Sequence, residues 1–185
     1  MKRLVIDIET TGLSPQINKT LTVGLLLIDV EKDFLDILDS NHVFIKHENY
    51  NPTKEAMEIN KINLEEHELH AIPPKKACNQ INNFIEKNIL HKTPLIGHNI
   101  QFDRSFLNSL FYQGETLHKF HQEYEDTMWM WRNLQRKNIV PWNLRSNLQT
   151  IADFFKIDYT KAHDAIADCN ITAQVYHKLL NLSQE

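Results

Sequence analysis

Three hydrophobic runs near the start of the chain predict strands. Residues 4–9 are apolar except for two acids near the end of the run. A short β-branched run of this kind is typical of a strand buried on both faces. Residues 20–30 predict a second strand and residues 41–47 a third. The gaps between these runs are short, which favours an antiparallel meander.

The rest of the chain has mainly helical periodicity. Helices are predicted at residues 52–62, 64–69, 101–112 and 163–180, with a longer one opening at residues 73–74. A brief strand is predicted at residues 94–97. Two more helices are predicted, one capped by Asp126 with Thr127 and one capped by Ser146. Strands followed mostly by helices predict an α/β fold with a mixed sheet, and one domain is expected over residues 1–185 because no repeat or long linker divides them.

Composition and charge narrow the class of protein. The chain has 185 residues, 42% hydrophobic and 24% charged, which excludes intrinsic disorder as the main description. No apolar stretch reaches the roughly 18 residues of a membrane span, and no signal-peptide core follows the first residues. Two cysteines form no disulfide framework, which favours a reducing, cytoplasmic location. The net charge of −4 argues against holding nucleic acid by bulk charge alone.

Four acidic residues lie where the patterning predicts a cleft or a core. Asp7 and Glu9 are two apart at the end of the first strand, so both side chains point to the same face. Asp103 and Asp168 each lie on the core-facing stripe of a predicted helix, where a carboxylate needs a cation or strong donors to stay ionised. Singly, each has an ordinary alternative, since acids are common at strand ends and in first helical turns. Together they favour a shared site for two divalent cations, which could clamp the attacking and leaving oxygens of a phosphoryl displacement.

A histidine accompanies the last of these acids. His163 lies five residues before Asp168, at the mouth of the same predicted helix. The unperturbed pKa of a histidine, about 6.5, suits a general base at neutral pH. A solvent-exposed histidine at a helix start is the alternative. The chain has no GxxxxGK[ST] loop and only four glycines, which argues against nucleoside triphosphate hydrolysis.

Three blocks of sequence resemble the motifs of the DEDDh 3′→5′ exonuclease family, the DnaQ-like group of the ribonuclease H-like fold. Residues 7–13 (DIETTGL) resemble the first motif, residues 98–103 (HNIQFD) the second and residues 163–168 (HDAIAD) the third. The blocks stand in family order, and the resemblance covers about residues 3–180. His163 matches the histidine branch, because the tyrosine branch would place its tyrosine where this chain has Asp164. The resemblance implies a mixed five-stranded sheet flanked by helices.

The resemblance also implies an activity and roles for residues. The four acids would hold two Mg²⁺ or Mn²⁺ ions, His163 would take the proton of the attacking water, and the product would be a nucleoside 5′-monophosphate. Leu13 would wedge against the terminal base. For the two residues that open the second motif, a structural role at the strand–helix junction is an equal alternative. The residues implied in substrate binding are Thr10, Gly12, Leu13, His98 and Asn99.

The expected substrate is the 3′ end of single-stranded or frayed DNA, in proofreading or repair. The same acids serve exoribonucleases such as oligoribonuclease, so RNA stays open as the alternative, as does an inactive module that only binds nucleic acid. Phe102 favours DNA, because oligoribonucleases usually carry glutamine at the matching position. A DNA polymerase is a candidate partner, and no membrane is expected. Because the chain has 24 acidic and 20 basic residues, the proposed ligands account for the whole net charge.

An aromatic and basic segment lies between the second and third motifs. Two of its tryptophans, Trp129 and Trp131, fall on different faces of a helix, so at least one is expected in the core. For these two and Trp142, core packing is favoured over base stacking. The basic residues fit either a phosphate-tracking edge or a solvated helix face, of which the second is favoured. These residues are Arg132, Arg136, Lys137 and Arg145.

Overall fold

The computed structural model describes residues 1–160 and 164–183. The described residues form five strands: β1 (Lys2–Thr10), β2 (Thr20–Val30), β3 (Leu35–Phe44), β4 (Leu95–Gly97) and β5 (Tyr124–Asp126). They also form seven helices: α1 (Lys54–Asn60), α2 (Leu64–Glu68), α3 (Pro74–Lys87), α4 (Ile100–Gln113), α5 (Thr127–Arg136), α6 (Leu148–Phe154) and α7 (Ala165–Ser183).

The strands form one mixed sheet in the order β3-β2-β1-β4-β5. The pairs β1–β2 and β2–β3 are antiparallel, as the short connections predict, whereas β1–β4 and β4–β5 are parallel. The predicted α/β fold with a mixed five-stranded sheet flanked by helices is therefore confirmed. Because β1, β4 and β5 run in the same direction, their carboxyl ends meet at one edge of the sheet.

Helices cover both faces of β1, so its alternate residues enter two different cores. Leu4, Ile6 and Ile8 share a hydrophobic cluster with residues of α3 and α4. Val5 shares a cluster with Cys169 and other residues of α7. This double burial explains why the strand is a nearly continuous apolar run.

The structure corrects three details of the predicted elements. The third strand begins at Leu35 rather than at residue 41, because β3 is an edge strand whose first half pairs with β2 although it is largely exposed and aspartates interrupt its apolar residues. The three-residue strand β5 has no hydrophobic signature of its own. The cap of α6 is Asn147, whose side chain accepts a hydrogen bond from the Thr150 N–H at 3.1 Å, and not Ser146. The predicted start of the last helix, at residue 163, lies outside the described residues.

The tryptophans divide between the core and the surface. Trp131 is fully buried, with its ring centroid 5.2 Å from that of Phe154. Trp129 and Trp142 are 47% and 80% exposed, so the preference for core packing is wrong for these two. Their exposure follows from the helix geometry: the face of α5 that carries Trp131 packs against α7, and Trp129 lies on another face.

No helix among the described residues combines the length and the apolar composition that a bilayer crossing requires.

Candidate active site

Strand β1 places two carboxylates against the start of α7. Asp7 and Glu9 follow Val5 at intervals of two, so they lie on the face that packs on α7. Carboxylate oxygens of Asp7, Glu9 and Asp168 lie within 4.8 Å of one another. The structure thus brings together three of the four predicted ligands from opposite ends of the chain.

A glycine in β2 permits this approach. Gly24 pairs with Asp7 in the β1–β2 ladder. A Cβ atom at Gly24 would lie 2.5 Å from the carbonyl oxygen of Ala165, in the first turn of α7. Because glycine has no side chain, that turn can lie directly on the sheet. The first turn is closed by Asp164, whose Oδ1 accepts hydrogen bonds from the N–H groups of Ile166 and Ala167 at 3.1 Å each.

The fourth acid, Asp103, is buried in the first turn of α4. The position of this turn depends on Asp126 at the end of β5. The Asp126 carboxylate accepts hydrogen bonds from the backbone N–H groups of Asn99 and Ile100 at 3.0 and 3.2 Å, and caps α5 through the Met128 N–H at 2.9 Å. The sequence predicted that Asp126 caps α5, but it gave no sign that the same residue also caps α4.

The two residues that open the second motif occupy the junction between β4 and α4. Asn99 is the N-cap residue of α4 with left-handed backbone (φ 60°), but its side chain makes no capping hydrogen bond, because Asp126 takes that role. His98 Nδ1 lies 2.9 Å from the hydroxyl of Thr127. Burial lowers the pKa of His98 to about 4, so the ring is neutral near neutral pH.

Burial and mutual repulsion dominate the electrostatics of the cluster. Burial raises the pKa of Asp7 well above its usual range, and Asp103 and then Asp168 add to the shift. Burial likewise raises the pKa of Asp103 well above its usual range. Burial raises the pKa of Glu9 to about 8, with contributions from Asp168 and Asp164.

The donor set fits hard divalent cations. In the described part of the chain, Asp7, Glu9 and Asp103 make no ion pair with lysine or arginine. Carboxylates that are buried this close together stay ionised only if positive charge is supplied. Mg²⁺ and Mn²⁺ take carboxylate oxygens, so they suit this set better than a soft metal would.

Hydrogen bonds connect the predicted binding residues of the loop after β1 to the rest of the fold. The Thr10 hydroxyl donates to the Gly12 carbonyl at 2.7 Å, and the Asn60 amide donates to the Thr10 carbonyl at 3.0 Å. A Cβ atom at Gly12 would lie 2.5 Å from the buried side chain of Asn18. Leu13, by contrast, is 84% exposed and available for contact with a ligand.

A cavity of about 440 Å³ borders Glu9 on the β2 and β3 side of the cluster. Its lining includes the rings of Phe44, His67 and His70, together with Asp164. This volume lies within the range of small-molecule sites, roughly 300–1,000 Å³. The cavity therefore has the size and the aromatic lining to receive a nucleoside.

Some neighbours of the cluster had no clear signal in the sequence. Burial raises the pKa of Tyr159 to about 12, and the charges of Asp168 and Asp7 add to the shift, which places the phenol near the carboxylates. Asp164 lies near enough to Asp7 and Glu9 to raise their pKa values. Neither residue follows a hydrophobic period that would have marked it. His163, the predicted general base, lies outside the described residues.

The fold and the acidic cluster define a ribonuclease H-like protein with a site suited to divalent metal ions. A family model described as exonuclease (RNase_T) matches residues 4–176. The chain therefore belongs to the exonuclease family, and the predicted membership is confirmed.

Curated relatives and solved structures agree with this assignment. The chain is 25% identical to the PolC-type DNA polymerase III of Thermotoga maritima over 98% of its length, which is 12% of the polymerase. It is 32% identical to ribonuclease T of Wigglesworthia glossinidia brevipalpis over 57% of its length, which is 52% of that enzyme. Exonuclease I of E. coli in complex with a dT13 oligonucleotide has a TM-score of 0.82 at 18% identity, covering 99% of this chain and 42% of that one. The chain thus spans about half the length of these proteins or less.

Proposed function

We propose that this chain is a divalent-metal-dependent 3′→5′ exonuclease that hydrolyses the terminal phosphodiester bond of single-stranded or frayed DNA. The observation that carries the proposal is the carboxylate cluster, in which oxygens of Asp7, Glu9 and Asp168 lie within 4.8 Å of one another. Membership of the exonuclease family supports the same activity. The product would be a nucleoside 5′-monophosphate, and the single exonuclease domain over residues 1–185 is part of the proposal.

The proposed ligands of two Mg²⁺ or Mn²⁺ ions are Asp7, Glu9, Asp103 and Asp168. When bound, such ions stabilise the charge on the attacking and leaving oxygens. The protein's proposed part is to hold these carboxylates preorganised: β1 and α7 bring oxygens of Asp7, Glu9 and Asp168 within 4.8 Å of one another, and α4 carries Asp103 in its first turn. Without the ions, any ionised carboxylate of the site would repel a phosphate, so we expect the scissile phosphate to bind only with the ions.

The remaining roles concern the substrate and the proton. Thr10, Gly12 and Leu13 are proposed to hold the terminal nucleotide, with the exposed Leu13 side chain against its base. His98 and Asn99 are proposed to orient the site through the junction of β4 and α4. His163 is proposed to take the proton from the attacking water. The bond that breaks joins the phosphorus to the 3′ oxygen of the preceding nucleotide, and that oxygen departs with the shortened strand.

DNA is the first candidate substrate and RNA the second. A solved relative of the same fold is exonuclease I with a bound dT13 oligonucleotide, and another relative is a DNA polymerase, which supports DNA and a polymerase as a partner. The RNA alternative is favoured by the relative named ribonuclease T. The two cysteines are free and buried, and the proposed cytoplasmic location stays a prediction.

The test uses 5′-labelled DNA and RNA oligomers of the same sequence. With Mg²⁺ we expect a ladder that shortens from the 3′ end, faster on DNA, and no ladder with chelator or with Asp7→Asn. Asp36→Asn is the matched control, because Asp36 is exposed on β3 near the opposite end of the sheet. Decay that persists in Asp7→Asn would reject the proposal, and faster decay of RNA would reverse the substrate order.

The proton role of His163 needs its own measurement. His163→Gln should lower kcat by roughly 10²–10⁴-fold, with a smaller loss at high pH, where hydroxide is available. His91→Gln, an exposed histidine before β4, should behave as wild type. A His163→Gln protein with unchanged kcat would remove this residue from the mechanism.

A further inference from the structure

The charge of the chain is unevenly distributed. Residues 127–152, which span α5, the following loop and the first part of α6, contain no aspartate or glutamate, although the chain as a whole has a net charge of −4. No ion pair involves these cations within the described residues. The four cations of the segment are Arg132, Arg136, Lys137 and Arg145. This segment is therefore a local positive surface on an acidic protein.

The same segment exposes two tryptophans. Trp129 is 47% exposed, and the guanidinium groups of Arg132 and Arg136 lie 5.3 and 6.0 Å from its ring centroid. Trp142, in the loop between α5 and α6, is 80% exposed. Large aromatic side chains are costly to leave in water, and interfaces are where they are enriched.

Hydrogen bonds hold the loop in place against α5. The Gln135 amide donates to the carbonyl groups of Pro141 and Leu144 at 3.0 and 2.8 Å. Arg132 Nε donates to the Ser146 hydroxyl at 3.0 Å. The two exposed rings therefore lie on a helix and a loop that are hydrogen-bonded to each other, which lowers the conformational entropy lost when a ligand binds.

This surface adjoins the carboxylate cluster. Helix α5 begins at the carboxyl end of β5, on the sheet edge where β1 also ends. Its first residue, Thr127, has its hydroxyl 2.9 Å from His98, and Asp126 joins the starts of α5 and α4. The surface lies on the β5 side of the cluster, whereas the cavity beside Glu9 lies on the β2 and β3 side.

We infer that Trp129, Trp142 and the arginines around them bind the single-stranded nucleic acid on the 5′ side of the cleaved bond. This inference rests on the proposed function. The rings would stack on bases, and the cations would contact phosphates. A strand whose last nucleotide lies in the cavity beside Glu9 and whose scissile phosphate lies at the carboxylates would continue over β4 and β5 onto this surface. The positive charge complements a polyanion, which favours a nucleic acid over a protein as the occupant.

The first test measures binding without cleavage. A labelled dT12 oligomer is titrated with protein in chelator, and anisotropy reports the dissociation constant. Trp129→Ala and Trp142→Ala should each weaken binding about fivefold or more, and Trp129→Phe should retain part of the affinity. Arg136→Gln should reduce the slope of log Kd against log salt by about 0.7.

Two variants serve as controls. Tyr112→Ala removes an aromatic ring that is 86% exposed on the last part of α4, and Lys32→Gln removes a cation in the turn between β2 and β3, at the opposite end of the sheet. Both should bind dT12 as wild type does. Circular dichroism of each variant checks the fold, and the Arg136→Gln result stands if a tryptophan variant does not fold.

The second test separates this surface from the catalytic site. Trp129→Ala should raise KM for dT12 in proportion to the loss of affinity, and should leave kcat/KM for the dinucleotide pdTpdT unchanged, because the dinucleotide is too short to reach the surface. Equal loss on both substrates would overturn the inference.

The outcomes also distinguish the inference from the proposed function. If wild type cleaves dT12 while the tryptophan and arginine variants bind it as tightly as wild type, the surface is not a strand site and the inference fails. If wild type cleaves neither DNA nor RNA but the variants lose binding, the nucleic-acid surface stands and the exonuclease proposal fails. Absence of any wild-type binding in chelator would overturn the inference.

Discussion

The carboxylate of Asp126, at the end of β5, accepts a hydrogen bond at 3.0 Å from the backbone N–H of Asn99, at the start of α4. Two further backbone donors, of Ile100 and Met128, bond the same carboxylate. One buried side chain therefore closes the first turns of two helices. Since α4 carries Asp103 in that turn, Asp126 determines where a proposed metal ligand lies.

Asp126→Ala should impair both stability and activity. Three backbone N–H groups, one buried and two partly buried, would lose their acceptor, so we expect the free energy of unfolding to fall by about 2–4 kcal/mol and kcat to fall at least tenfold. Asn147→Ala removes the cap of α6, which carries no site acid, and should cost about 1 kcal/mol with kcat unchanged. Urea denaturation and steady-state kinetics measure both quantities. A normal kcat in Asp126→Ala would show that α4 holds its place without this carboxylate.

Gly24→Ala should separate α7 from the sheet. The new Cβ atom would meet the Ala165 backbone at 2.5 Å, and a backbone atom cannot rotate away. We expect a loss of about 1–3 kcal/mol in stability and a fall in kcat, because Asp168 would move away from Asp7. Gly114→Ala is the matched control: its Cβ would meet the Cys78 sulfur at 2.6 Å, far from the acids, and should lower stability only. Equal kcat in the two variants would contradict the prediction.

The stability of the metal-free protein should fall as pH rises towards 8. Burial raises the pKa of Glu9 from its usual 4.5 to about 8, so the folded state binds more protons than the unfolded state between these values. If the carboxylates bind Mg²⁺ as proposed, they bind it deprotonated, and its stabilising effect should be larger at pH 8 than at pH 6.5. Thermal unfolding from pH 6.5 to 8.5, in chelator and in Mg²⁺, measures this. Glu9→Gln should reduce the pH dependence, with the remainder due to Asp7 and Asp103, and a flat wild-type profile in chelator would refute the assignment.

His98 should give the opposite dependence at lower pH. Burial lowers its pKa from 6.5 to about 4, so the unfolded state binds more protons in this window and stability is lost as pH falls from 6.5 to 4. On acidification, wild type should lose on the order of 2 kcal/mol more than His98→Gln. Denaturant titrations at several pH values measure the difference, with His91→Gln as the exposed control. Parallel curves for wild type and His98→Gln would exclude this effect.

Leu13→Ala should affect substrate binding but not folding. The side chain is 84% exposed, so its loss should leave the melting temperature unchanged. If Leu13 packs on the terminal base, KM should rise about tenfold. Ile17→Ala removes a side chain of the same loop that is 61% exposed and should leave KM unchanged. An unchanged KM in Leu13→Ala would show that the Leu13 side chain does not contribute to binding of the terminal base.

The local sequence predicted those features that depend on neighbouring residues alone. The apolar run of β1 marks a strand buried on both faces, and the spacing of Asp7 and Glu9 places both on one face. The Asp126 cap on α5 follows from local hydrogen bonding. The first half of β3 and the short β5 were missed because an edge strand and a three-residue strand depend on pairing partners rather than on their own hydrophobicity.

The sequence by itself determined the family, the mixed sheet and the four acids, because motif spacing and hydrophobic periodicity are properties of the chain. Only the tertiary structure decided how the acids meet: Gly24 admits α7 to the sheet, and Asp126, besides its local cap on α5, bonds the start of α4, which lies 27 residues earlier in the chain. It also decided which tryptophans are exposed, since Trp131 is buried by α7 while Trp129 stacks with arginines at the surface. These relationships join residues far apart in sequence, and no local pattern records them, because burial and electrostatic coupling arise only when separate elements pack together.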